Sequence, residues 1–142
     1  MMTLSASARE VIDAPEFVTM ATIDEHGRPR LSVVWAKTDG NHILVSTTTE
    51  RRKYRDLLRD PRVSLLCFPK DQPYTYVSIQ GTATLVNEGG SELIQELSER
   101  YTGSPFPSDR PDVVRAVIRI DPSKVVFSDP SSRRNSSARS DS

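Results

Sequence analysis

Apolar and polar residues change period along this chain, and each change marks an element. Val18 to Ile23 and Pro29 to Lys37 are short runs rich in β-branched residues, which predicts strands. Between them Asp24-Glu25-His26-Gly27 reads as a turn, with Gly27 free to take positive φ. A second turn, Asp39-Gly40-Asn41, returns the chain through His42 to Ser46, so the three runs form an antiparallel meander. Ahead of them, Ser5 to Ile12 predicts a short helix capped by Ser5 or Ser7 and ended by the corner Pro15-Glu16-Phe17. Val63 to Phe68 is almost uninterrupted apolar sequence, which predicts a strand buried on both faces. Tyr74 to Val86 is a long strand stretch whose interior Gly81 marks a bulge or a close backbone approach. Val114, Ala116, Ile118 and Ile120 alternate with their neighbours as a half-exposed strand; Asp121-Pro122 then turns the chain into a last strand, Lys124 to Phe127.

Two segments switch to helical spacing. Tyr54, Leu57 and Leu58 form one apolar stripe, with Arg52, Arg55, Asp56 and Arg59 on the other side and Pro61 as the stop. Upstream, Thr47 and Glu50 have the spacing of a capping box. Leu93, Ile94 and Leu97 stripe a second helix from about Ser91, its expected cap, to Arg100. Tyr101 to Pro111 holds three prolines and a glycine and reads as a loop. Residues 129–142 are mostly serine, arginine and aspartate, with no apolar anchor to offset their ordering entropy. The expectation is one domain, residues 1–128, and a disordered tail. Six or seven antiparallel strands with inserted helices make it mainly β, a closed or partly closed barrel.

Composition narrows the function classes. The 142 residues carry 19 Lys and Arg against 19 Asp and Glu, so no global field draws the protein to nucleic acid or an anionic membrane. Basic character is local, over residues 51–62. The apolar runs are too short to span a bilayer and the N-terminus has no signal-peptide pattern, which with a single cysteine points to the cytoplasm. That cysteine, Cys67, excludes an internal disulfide and a multi-cysteine metal site, and its apolar setting reads as a buried strand position. His26 and His42 lie in or after turns, and neither is placed as a catalytic acid.

Chemistry concentrates where the third strand hands over to the first striped helix. A helix N-terminus presents free N–H groups and partial positive charge, which suits a phosphate or carboxylate. Hydroxyls of Ser46 and Thr47 precede it, and Arg52 and Lys53 follow. The competing reading is that these cations are the solvated face of an amphipathic helix. Cations in a first turn oppose the helix dipole at about a few tenths of a kcal/mol each, a cost that an anion would offset.

The succession of strand, Gly27-Arg28-Pro29-Arg30 turn, strand, Glu50-Arg51-Arg52-Lys53 helix and Asp60-Pro61-Arg62-Val63-Ser64-Leu65-Leu66 strand resembles the flavin-reductase split-barrel superfamily, the pyridoxamine 5′-phosphate oxidase-like proteins. The likeness covers about residues 8–128, with Ile79-Gln80-Gly81-Thr82-Ala83 in support. It implies a split β-barrel homodimer that binds FMN or the deazaflavin coenzyme F420 in a groove between subunits. Carried over by residue, it assigns the phosphate to Arg52 and Lys53 with Ser46 and Thr47. It assigns the ring to Ser32, Val33 and Val34 with Trp35 and Lys37 close by, and sets Gln80 and Gly81 near the cofactor from a neighbouring strand. The tail contains no histidine, unlike the arginine- and histidine-bearing end of the oxidase that makes pyridoxal phosphate. The compact length and arginine-rich helix are more similar to the actinobacterial deazaflavin-dependent branch. Arg51, Arg55 and Arg59 then either meet the polyglutamate tail of that cofactor or are surface charges. The implied activity is hydride transfer from reduced F420 to a small unsaturated or conjugated acceptor. The alternatives are an FMN-binding reductase or oxidase of the same fold and a non-catalytic cofactor-binding protein. Tyr74, Tyr76 and Tyr101 read either as proton donors or as packing residues.

Overall fold

The computed structural model describes residues 2–14 and 16–130; Pro15 of the expected corner and the tail from residue 131 lie outside the described residues. Its elements run α1 (Ala6–Asp13), β1 (Val18–Ile23), β2 (Pro29–Val34), β3 (Lys37–Asp39), β4 (His42–Thr48), α2 (Arg52–Arg59), β5 (Arg62–Cys67), β6 (Val77–Val86), α3 (Gly90–Thr102) and β7 (Arg115–Phe127). The fold is mainly β with inserted helices, as expected. All seven strands pair antiparallel in one sheet of order β2-β1-β5-β6-β7-β4-β3.

That order dictates the shape. β2 and β3 are the two edges of the sheet, yet only Trp35 and Ala36 separate them in sequence. Three Cα steps span at most about 11 Å, so the sheet must curl until its edges nearly meet. The result is a barrel split along one seam. Tyr101, on α3, reaches the seam: its hydroxyl accepts from the Ala36 N–H at 3.1 Å and donates to the Ala36 carbonyl at 3.4 Å.

Alternate strand residues point inward, and Met20, Ile43, Val45, Leu65, Ile79, Ile118 and Ile120 fill the interior. α1 joins that core with Ala8 and Ile12 and is capped as expected, Ser5 Oγ accepting from the Ala8 N–H at 3.1 Å. The β1–β2 turn also follows the sequence. Asp24 accepts from the N–H groups of His26 and Arg28, and Gly27 has φ 77°.

Several expectations fail for physical reasons. The apolar run of β5 predicts burial on both faces, but its residues alternate and Leu66 is half-exposed, because one face of this strand lies outside the barrel. Tyr74 is exposed in a loop, and β6 begins only at Val77. Asp121-Pro122 is no turn: β7 runs through it. Proline has no N–H to donate, and the pairing shifts there, from Gln80 opposite Lys124 to Gly81 opposite Pro122, which leaves Ser123 extra. Gly81 is the close approach the sequence pointed to, since a Cβ there would lie 2.5 Å from the Asp121 carbonyl oxygen.

The helix starts differ as well. No capping box forms before α2: Thr47 and Thr48 remain in β4, and Arg51 stands at the N-cap without a side-chain cap. α2 also turns its stripe, exposing Leu58 and burying Asp56. α3 begins at Gly90 rather than being capped by Ser91, after Gly89 at φ 83°. A Cβ on Gly90 would sit 2.8 Å from the Ala116 nitrogen, so glycine lets this helix start against β7.

Candidate functional site

The seam opens into a recess of about 210 Å³ between the ends of β2 and β4, the start of α2, α3 and the loop before β7. Its polar end is formed by Ser46, Thr47, Arg51, Lys53 and Arg115. Val34, Ile94 and Leu97 supply an apolar floor, and Phe17, Trp35 and Phe106 an aromatic wall.

β4 delivers the hydroxyls. Ser46 Oγ donates to the Gly90 carbonyl at 3.0 Å. Thr47 is only 4% exposed, and its Oγ1 has no hydrogen-bond partner among the described residues. A buried hydroxyl left unpaired costs about 1–3 kcal/mol, a cost that an ordered water or a ligand would remove. α2 delivers the cations. Lys53 is half-buried, and burial, followed by the neighbouring charge of Arg51, lowers its pKa. The first turn of α2 contains no acid. Among the described residues no carboxylate forms an ion pair with Arg51 or Lys53.

A buried carboxylate fixes the helix that carries them. Asp56 accepts from Thr22 Oγ1 at 2.8 Å, Arg30 Nε at 2.8 Å and Arg59 Nη2 at 3.1 Å, with its side chain 2% exposed. Burial raises its pKa, but the hydrogen bonds from Arg30, Thr22 and Arg59 outweigh it and the net shift is downward. The residue therefore stays ionised and ties α2 to β1 and β2.

The aromatic wall is a connected set. Trp35 stacks on Tyr101 at 5.2 Å and meets Phe106 edge-on at 6.5 Å, while Phe17 lies 6.2 Å from Tyr101. Arg115 places its guanidinium 4.8 Å from the Phe106 ring centroid and pairs with Asp109 at 2.8 Å and 3.1 Å. Burial, offset in part by the Ala36 N–H, raises the Tyr101 phenol, whose hydroxyl is committed to Ala36. The Cys67 thiol does not line the recess; it is buried, and desolvation pushes it up to about 12, which disfavours the thiolate.

Of the residues singled out from the sequence, Val33, Val34, Trp35, Ser46, Thr47 and Lys53 meet at the recess. Arg52 instead faces a neighbouring hollow with Glu25, Arg30, Arg55 and Asp56. Ser32 lies opposite Met20 in the β1–β2 pairing, and Lys37 is held by Glu96 at 2.6 Å. Gln80 and Gly81 line a separate groove of about 470 Å³ with Arg62 and Ser64. Phe106 and Arg115 arrive from a loop and a strand start far along the chain; nothing local in the sequence distinguished them. Arg51 was visible only as one more cation. Among the described residues no group of three or more His, Cys, Asp or Glu is arranged to hold a metal, and no helix is long and apolar enough to cross a membrane.

Comparison with known proteins places this geometry. Residues 4–129 match the family described as pyridoxamine 5′-phosphate oxidase. A solved structure named F420 reductase superposes with a TM-score of 0.77 at 24% identity, over 87% of this chain and 98% of its own. The conserved hypothetical protein Rv2991 from Mycobacterium tuberculosis gives 0.74 at 25% identity, over 100% and 94%. HutZ, a heme storage protein from Vibrio cholerae, gives 0.64 at 20% identity, over 89% and 96%.

Proposed function

This chain belongs to the pyridoxamine 5′-phosphate oxidase family, and on that premise we propose that it is an oxidoreductase. Its cofactor is reduced coenzyme F420, a deazaflavin, and its substrate a small unsaturated or conjugated acceptor that receives a hydride. The observation that carries this reading is the polar end of the recess: a buried, unpartnered Thr47 hydroxyl beside two cations, Arg51 and Lys53, without carboxylate partners among the described residues. Those groups fit a phosphate, which accepts hydrogen bonds on three oxygens and brings compensating charge. The likeness to a structure named F420 reductase supports the deazaflavin over FMN.

In this reading Ser46, Thr47, Arg51 and Lys53 hold the phosphate, while Arg52, which the resemblance assigns to the phosphate, faces the neighbouring hollow and meets the continuing anionic chain instead. Val33, Val34 and Trp35 lie against the ring. The bound cofactor supplies the hydride. The protein orients the acceptor, and Ile94, Leu97 and the aromatic wall keep water from the reacting face.

The protein acts as a homodimer. A recess of about 210 Å³ falls below the roughly 300–1,000 Å³ of small-molecule sites, so a further wall is needed. Leu31 and Val33, 69% and 65% exposed, share the outer face of β2-β1-β5 with half-exposed Leu66. This apolar face is continuous with the recess through Val33. A second copy docked there covers the patch and closes the site, bringing the groove at Gln80 and Gly81 within the assembly.

Equilibrium dialysis against F420 and FMN at identical salt tests the cofactor, followed by a screen of conjugated acceptors with the tighter binder. Preferential retention of F420 with turnover of an acceptor is the expected result. Protein that purifies yellow with bound FMN and ignores F420 would replace this reading with the flavin one.

A further inference from the structure

The pocket holds a third cation that a phosphate at Arg51 and Lys53 does not use. Arg115 has its side chain 7% exposed, and three cations but no acid line the recess. Its partner, Asp109, lies outside that lining, on the loop over residues 103–114. The fork spends Nε and Nη2 on Asp109, while Nη1 has only Ser46 Oγ at 3.5 Å, a marginal contact.

We propose that Arg115 selects the acceptor as a planar acid, whose carboxylate takes the place of Asp109 on the guanidinium while its ring lies against Phe106 and Trp35. This rests on reading the recess as a cofactor-and-acceptor site. The exchange is chemically even, one carboxylate for another on the same fork. The two halves of the loop are anchored differently. Gln95 clamps Phe106 through both backbone groups at 3.0 Å, and Ser98 Oγ donates to the Ser104 carbonyl at 2.7 Å. The Asp109 half is held by the Arg115 fork and an exposed Arg110–Glu50 contact at 3.4 Å. Beyond it, the Val113 N–H donates to the Arg110 carbonyl and the Thr49 N–H to the Val114 carbonyl, both at 3.0 Å, so Asp109 itself is fixed by the fork. Asp109 can therefore swing into water while Phe106 keeps its position, and the ring beneath the guanidinium holds Arg115 in place. Arg30 and Asp56 show the contrasting case, a pair whose acid is buried on a helix with two further donors and has nowhere to go.

The test is calorimetric titration of naphthalene-2-carboxylate and naphthalene-2-carboxamide into the full-length protein. Asp109→Asn removes the competing charge and should tighten the carboxylate by at least about fivefold, leaving the amide unchanged. Arg115→Gln should abolish the preference for carboxylate over amide. The Asp109→Asn variant, which leaves the buried arginine intact, keeps the test valid if the Arg115→Gln variant folds poorly. Unchanged carboxylate affinity in Asp109→Asn, equal shifts for both probes, or no carboxylate binding in any variant would each overturn the proposal. Failure of the cofactor reading shows separately: F420 would then not bind, while the carboxylate response persists.

Discussion

One turn apart on α2 stand two charged side chains in opposite circumstances. Asp56 is buried and receives three hydrogen bonds; Lys53 is half-buried beside a like charge and a hydroxyl with no partner among the described residues. A buried charge whose partners come from the fold holds the fold together. A partly desolvated charge sharing a recess with an unsatisfied group is, on our proposal, arranged for a bound anion. The same helix serves both ends because an eight-residue segment presents one side to the barrel and the adjoining side to the seam.

Substitutions break this contrast most sharply at Asp56. Asp56→Ala strands Arg30 and buried Thr22, and should cost about 3–5 kcal/mol in urea denaturation; a loss below about 1 kcal/mol would show the carboxylate is not structural. The folded pKa of Asp56 is lowered, so its stabilisation is complete above the ordinary aspartate range. It is lost as pH falls through the folded value, and wild type should lose its advantage over Asp56→Asn there. Lys53 should behave in reverse. Lys53→Ala with Arg51→Ala should weaken cofactor binding by about 2–4 kcal/mol in dialysis, with stability unchanged to within about 0.5 kcal/mol. Because burial lowers the Lys53 pKa, its folded state is penalised below that value and relieved as pH rises through it, so Lys53→Met should narrow the rise in stability at alkaline pH.

Thr47→Val sharpens the comparison further by separating two quantities that usually move together. Replacing the unpartnered hydroxyl with a methyl should raise thermal stability by about 1 kcal/mol and lower cofactor affinity by a similar amount. Parallel losses in both would mean the hydroxyl has a partner within the fold. The smallest effect belongs to Leu58, whose replacement by alanine should stay within about 0.5 kcal/mol, whereas Leu57→Ala, in the core cluster, should cost about 2–5 kcal/mol.

Leu58 also marks what the sequence could and could not convey. Strand periods and the Gly27 turn were legible because each depends on residues a few positions apart. The Gly81 approach was legible because a glycine inside a strand is itself the signal, although its partner Asp121 lies far along the chain. The phase of α2 was not. Over eight residues a stripe of three apolar positions does not fix the buried side, and Asp56 is drawn inward by Thr22 and Arg30, which are 34 and 26 residues away. The capping-box spacing at Thr47 and Glu50 misled for a similar reason: β4 stays paired with β7 through Thr48, so the helix begins later. Pro122 reads as a breaker until the register shift opposite Gly81 is known. For the candidate site, the hydroxyls and Lys53 were readable as a local cluster. Phe106 and Arg115 were not, since the barrel alone brings them to the seam.

The seam has a practical corollary. Trp35 is the only tryptophan in the chain, and it forms part of the two-residue link between the barrel edges, where it also lines the recess. Its ultraviolet emission therefore reports on that one place without a label. A yellow or near-ultraviolet-absorbing chromophore that settled against it would drain the emission by energy transfer, so the molecule carries its own lamp for watching the site fill.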